Sequence, residues 1–285
     1  MTILIADPTL GAFLIRGEDP PAPLSTGAEC PCMPTVCPGR LILACEKTRN
    51  CFVINRKTLR EEQAFPAPPG ISALCASPCG RWLYILSHEA DMVHTVHLGT
   101  GRLSYAAPAG VFPRSMALSP SGTELLVACG AEAEARLFSL PDLLTEQVIH
   151  TRHPCFGAAF WKKGLVLVCA AEGTDIRTVI CTLAPGKIRP REILRLPGLP
   201  GAMQVCSGGM AIMVSTPDGL MKIDLNSGRI LWNVPPGALC MNLCTQNGMV
   251  LLSDVPTGKV LLLPQKEPWP KRTLWQGGAP QACFL

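Results

Sequence analysis

Charge is scarce in this sequence. Only 16% of its residues are acidic or basic, against 48% hydrophobic, a balance that excludes a disordered chain and calls for a sizeable buried core. No basic run exceeds the pairs Lys162-Lys163 and Lys271-Arg272, and the net charge is +4. That leaves no electrostatic footprint for nucleic acid and none for a membrane surface. The opening MTILIADPTLGAFLIRGEDP has no basic leader and meets Asp7 after a short apolar run, so it reads as a strand and not as a signal peptide or a membrane span. Without export the expected compartment is the cytoplasm, where thiols stay reduced, and an odd count of 15 cysteines does not suit a disulfide framework. Chemical motifs are also missing: no G-x-S-x-G elbow, P-loop, H-E-x-x-H or glycine-rich dinucleotide fingerprint occurs. Nucleophilic and nucleotide chemistry therefore lack support, and no cofactor or metal is expected.

What the sequence has is a repeat. A short apolar strand ending in a small polar residue occurs seven times: LIAD at Asp7, ILAC at Cys45, YILS at Ser87, LVAC at Cys129, VLVC at Cys169, IMVS at Ser215 and VLLS at Ser253. Successive anchors lie 38 to 46 residues apart, and the step from Ser253 through both chain ends to Asp7 is 39. That is the length of a four-stranded propeller blade, and a repeat that closes as a circle fits a ring better than a linear solenoid, which needs atypical capping units. Glycines at 39, 80, 122, 164, 209 and 248 precede six anchors and mark the hairpin between first and second strands.

The expected fold is an all-β, seven-bladed propeller of four-stranded antiparallel blades, in which the C-terminal APQACFL pairs with the N-terminal strand and removes an exposed edge. The blades are expected at 279–285 plus 1–28, 29–69, 70–109, 110–152, 153–198, 199–238 and 239–278, one domain of 285 residues.

Two stretches, SPCGRWLYILSHEADMVHTVHLGTGRL (77–103) and SPSGTELLVAC (119–129), resemble the YVTN repeat of surface-layer-type and lactonase-like propellers. MKIDLNSGRILW (221–232) is similar to blades of quinoprotein-type propellers. The resemblance implies a fold and no activity, since such repeats serve lactonases, dehydrogenase scaffolds and binding modules alike. The WD dipeptide is missing and no Gly-His precedes a repeat, which separates the chain from true WD40 proteins.

Aligning the blades explains much of the cysteine. Cys45, Cys129 and Cys169 alternate with serine in the anchor column, and Cys37 and Cys206 align with Ser77, Ser119 and Thr245 at the end of first strands, as small buried side chains do. A second column, the residue that starts each first strand, often after a proline, should line the mouth of the central channel: Gln281, Cys32, Ser72, Arg114, Cys155, Gly201 and Cys240. Cys32, Cys155 and Cys240 facing one another across a wide mouth make a poor zinc site, and the C-x-C-x4-C spacing of Cys30, Cys32 and Cys37 has no matching knuckle elsewhere. Arg114 is the one basic residue expected there, suited to a carboxylate or phosphate, or else to pairing with Glu29 or a loop acid. Gln281, Ser72 and Gln204 would add neutral donors, giving a small polar pocket.

His94 and His97 should lie on opposite faces of a third strand, and His88, Glu89 and Asp91 in a solvated turn. The leading expectation is a cytoplasmic binding or interaction scaffold that takes an unidentified protein or a small polar or anionic ligand at the channel mouth. The alternative is a lactonase-like hydrolase in which Arg114 holds the substrate and His88 or His153 is the base. The near absence of acids on the first strands argues against it, because axial hydrolysis needs carboxylates or histidines. A third reading is a thiol-based metal or redox sensor.

Overall fold

In the computed structural model, each anchor peptide is a second strand that neighbouring sheets cover on both faces, which is why it reads as an unbroken apolar run. Leu41 to Cys45 and Leu125 to Cys129 are wholly buried. The structure describes all residues except 29–30, 174, 207, 235–239, 255–256, 267–271 and 277–279, and leaves undescribed the side chains of 240–242 and 254. Glu29, Cys30 and Ala279, the first residue of the expected closing segment, therefore lie outside the described residues, as does the side chain of Cys240.

The described residues form 28 strands, β1–β28 in chain order, arranged as seven four-stranded antiparallel sheets. Six sheets are meanders of consecutive strands. The seventh has the order β28-β1-β2-β3, made of Gln281–Phe284, Thr2–Asp7, Gly11–Arg16 and Ala22–Leu24. Hairpin glycines behave as their positions demand, with Gly39, Gly80, Gly122 and Gly248 at φ of 68 to 75°, where a Cβ would be strained. Outer strands such as β11 (Arg102–Pro108) are mostly exposed, so apolar character fades from axis to rim.

The chain closes as a ring. β28 lies antiparallel to β1 with Ile3 opposite Phe284, Leu4 opposite Cys283, Ile5 opposite Ala282 and Ala6 opposite Gln281, and the Leu285 amide donates to the Thr2 carbonyl at 3.0 Å. The innermost strands touch in one circuit: β4 (Pro31–Cys37), β8 (Ile71–Ala76), β12 (Pro113–Leu118), β16 (Cys155–Trp161), β20 (Met203–Val205), β24 (Cys240–Gln246), then β28 and back to β4. Between each pair of neighbouring blades sits one apolar cluster. The two that include closing-strand residues pack Ile3, Ile5, Ala282 and Phe284 against Leu251 and Val260 on one side, and Leu4 and Cys283 against Leu41 and Leu43 on the other.

The ladder between first and second strands is interrupted in five blades by an extra residue that faces no partner, a β-bulge. Pro113 faces Cys129 and Ser115 faces Ala128, which leaves Arg114 as the bulge. Ser72 and Phe156 occupy the same place in their blades. In blade two the irregularity spans Met33 and Pro34, after Cys32 has paired with Ala44. In blade seven Cys240 faces Asp254, so Asp254, one residue beyond Ser253, holds the anchor position there.

Closure predicts an asymmetric response to truncating apolar side chains. Phe284→Ala, at the closing seam, is expected to cost about 3 kcal/mol or more of unfolding free energy in urea titration. Leu144→Ala, on an exposed rim strand, is expected to stay within about 0.5 kcal/mol of the parent. Equal effects at the two positions would contradict a structural role for the seam.

Candidate axial ligand site

The bulges decide what faces the axis. An extra residue in a strand re-aims its side chain away from the alternation of its neighbours, and around one end of the channel the bulged Ser72, Arg114 and Phe156 line a cavity of about 590 Å³ together with Met33, Met203 and Gln281. Gly201 lines it as well, and from the turns above it come His88 and Glu46.

Arg114 is held by aromatic rings and not by a carboxylate. Its guanidinium carbon lies 4.7 Å from the Phe112 ring centroid and 5.1 Å from that of Phe156, within cation–π range. Among the described residues it forms no ion pair and donates no hydrogen bond. The alternative of a loop acid as partner therefore finds no support there, and Glu29 lies outside the described residues. His88 meets Phe112 edge-on at 5.3 Å between centroids.

The loop that carries Phe112 is fixed from several sides. Phe112 has a φ of 53°, a left-handed conformation unusual for a bulky residue and of the kind held only where the surroundings over-determine it. Its amide donates to Asp91 Oδ1 at 2.7 Å, and its carbonyl accepts from the Gly130 amide at 2.9 Å. The neighbouring Val111 amide donates to Glu132 Oε2 at 3.1 Å, and Ser72 Oγ donates to the Pro113 carbonyl at 2.8 Å. Gly130 also backs Arg114 itself: a Cβ there would lie 2.6 Å from Arg114 Cγ and 3.1 Å from the Phe112 oxygen. Across the closing seam, Gln281 Oε1 accepts from the Met33 amide at 2.8 Å.

Two cysteines of the expected mouth column, Cys32 and Cys155, lie elsewhere. Cys32 and Cys155 are buried in the interblade cores, and the neighbouring Met33 and Phe156 take the places at the cavity wall. For Cys155 the proline was a false register mark. Pro113 faces the anchor of its blade directly, whereas Pro154 comes one residue before the position that does, and one residue's slip exchanges the two faces. For Cys32 the register is right, but the bulge falls one residue later. Cys240 lies on β24, with its side chain outside the described residues.

The other sequence candidates disperse. Gln204 donates to the carbonyl of its neighbour Val205 at 3.3 Å, away from the cavity. His97 stacks edge-on with Trp82, while the part-buried His94 has an Nε2 without a partner among the described residues. Anchor side chains tie down the loop before their own first strand: Ser87 Oγ donates to the Pro69 carbonyl at 2.6 Å and Cys129 Sγ to the Ala109 carbonyl at 3.1 Å. Cys129 does gather with Glu132 and Glu134, but Arg136 reaches Glu134 at 2.7 Å and Glu132 at 3.9 Å and supplies the counter-charge. Burial pushes the Cys129 thiol up to about 12, and burial does the same to Cys75. Such thiols are protonated at neutral pH and are poor nucleophiles and metal ligands.

The fold and this site define the molecule as a seven-bladed β-propeller with a polar and aromatic pocket on its axis. No family model matches the sequence, and no curated protein matches it. Among solved structures, hydrazine synthase of Kuenenia stuttgartiensis superposes with a TM-score of 0.75 at 15% identity, covering 85% of this chain and 78% of that one. Dihydro-heme d1 dehydrogenase NirN, in complex with DHE, gives 0.62 at 17% identity over 82% of this chain and 53% of that one. At these identities the likeness is one of fold alone.

Two outcomes follow from this geometry. Gly130→Ala is expected to push the Arg114 side chain off its two rings, visible in a crystal structure of the variant; an unmoved Arg114 would contradict the close packing described. Burial holds the His94 pKa below its ordinary 6.5, so the unfolded chain takes up a proton that the folded chain resists. Stability is then full above pH 6.5 and declines as the pH falls below it. His94→Leu is expected to flatten that decline in denaturant titrations run down to about pH 5, and an unchanged slope would assign the acid sensitivity to other groups.

Proposed function

We propose that this chain is a propeller of the YVTN-repeat kind that works as a cytoplasmic binding scaffold, with a small anionic ligand held at the axial mouth by Arg114. One observation carries the reading. An arginine whose five N–H donors have no described acceptor stands in a concave wall, oriented by two rings. A guanidinium in that setting suits an anion, because ring contacts hold it without consuming its hydrogen-bonding capacity. The cost of orienting the side chain is met before the ligand arrives, which favours affinity. Gln281, Ser72 and His88 add neutral or titratable polar groups around the same cavity, as ligand pockets commonly have.

A second reading, a lactonase-like hydrolase using this pocket, draws support from His88 on the cavity wall. It asks for a base and a metal or oxyanion site together, and the carboxylate that lines the cavity among the described residues is Glu46 alone. Hydrolysis of sugar lactones, or a stoichiometric divalent ion in the purified protein, would favour it. The thiol-sensor reading has the least support: burial raises the pKa of Cys37, Cys51 and Cys283 as well, and the exposed Cys79, whose pKa the Ser77 hydrogen bond lowers, is the exception.

Calorimetric titration with a panel of small carboxylates and phosphates tests the leading reading. At least one anion is expected to bind saturably, and Arg114→Ala to weaken it by about tenfold or more, the effect of deleting a charge-assisted hydrogen bond. Unchanged affinity in that variant would remove Arg114 from the function.

A further inference from the structure

We infer that the ligand of the axial pocket is a monocarboxylate with an apolar body of about the size of a phenyl ring, bound with its carboxylate on the edge of Arg114. The inference rests on the anion-binding reading above and goes beyond it by choosing the anion and its body.

Phe112 and Phe156 both lie within cation–π range of the guanidinium carbon, and no described acceptor takes its N–H groups, so its hydrogen-bonding edge is left to a ligand. That edge presents two parallel N–H bonds, which match the two coplanar oxygens of a carboxylate.

Among the described lining residues Arg114 is the one arginine and there is no lysine, while Glu46 contributes a negative charge to the same cavity. A phosphomonoester, with close to two negative charges and three acceptor oxygens, would meet one cation and a repelling carboxylate. No helix occurs among the described residues, so no helix N-terminus is present to make up the deficit. A monocarboxylate brings about half the charge of a phosphomonoester and so meets less of that repulsion from Glu46.

A cavity of about 590 Å³ is far larger than a bare anion and falls within the size range of pockets for small organic ligands. Alongside Arg114, Ser72, His88, Gln281 and Glu46, the wall has a soft apolar part. Met33, Met203, Phe156 and Leu243 line it, and thioethers adapt to irregular shapes and pack well against aromatic rings. Gly157 permits the approach of Met203, whose Sδ would collide with any Cβ at that position.

The experiment is calorimetric titration of the full chain with five probes: 3-phenylpropionate, its amide, acetate, inorganic phosphate and phenyl phosphate. 3-Phenylpropionate is expected to bind saturably. It should bind about tenfold or more tightly than acetate, from burial of its ring and methylenes, and about tenfold or more tightly than the uncharged amide. Arg114→Lys, which keeps the charge and loses the fork, is expected to weaken it by about tenfold. Phe156→Ala should weaken 3-phenylpropionate more than acetate. Circular dichroism and thermal melting of both variants check that each is folded. Phosphate or phenyl phosphate binding as tightly as 3-phenylpropionate would overturn the choice of carboxylate and leave the anion reading standing. Acetate binding as tightly would overturn the apolar body. Failure of every anionic probe to bind would overturn the inference and the anion reading together.

Discussion

The structure depends on the pairing of β28 with β1. Every other sheet is made from consecutive strands and forms from local contacts, but this one joins residues from the two ends of the chain. Without it the first blade would lack its inner strand, two of the interblade cores would lose members such as Ala282, Cys283 and Phe284, and an unpaired edge would face solvent. The ring of inner strands that defines the axial cavity exists only when that seam is shut. Gln281 ties the two facts together: it is the first residue of the closing strand, and its side chain accepts the Met33 amide at the rim of the cavity.

Within the ring, the site is built by departures from regular structure. The buried second strands are continuous and apolar, and they fix the sheets. The bulges on the first strands interrupt the ladder and turn Ser72, Arg114 and Phe156 toward the axis. Phe112 is held in a left-handed conformation by Asp91 on one side and Gly130 on the other, so that an aromatic ring, and no acid, accompanies the arginine. Backbone strain of this kind costs of order 1–3 kcal/mol and persists where the surroundings enforce it. Here it leaves a cation oriented and still available to a ligand.

Much of the architecture was legible in the sequence because it rests on period and length. Seven anchors at blade-length spacing, and an interval that closes through the chain ends, follow from second strands that must be apolar on both faces. The site was legible only in part. Arg114, Ser72, Gln281 and Gly201 line the axial cavity. Cys32 and Cys155 sit in interblade cores instead, since a bulge shifts the facing residue by one and the prolines before the first strands do not share a register. Phe112 and Phe156 left no periodic signal, because their role comes from a stack that forms only when two blades meet. Gly130 could have been suspected from its place just after the Cys129 anchor, but the need for a glycine there comes from Arg114 on a different strand.

The central claim is that the two chain ends form one continuous blade within a closed ring, and hydrogen–deuterium exchange at single-residue resolution tests it most directly. In a closed ring the ladder amides among residues 3–6 and 282–284 should exchange as slowly as those of the buried strand Glu124–Cys129, since both would open only with the whole molecule. Exchange in the closing strand as fast as in the exposed loops, with the other blades still protected, would contradict the account.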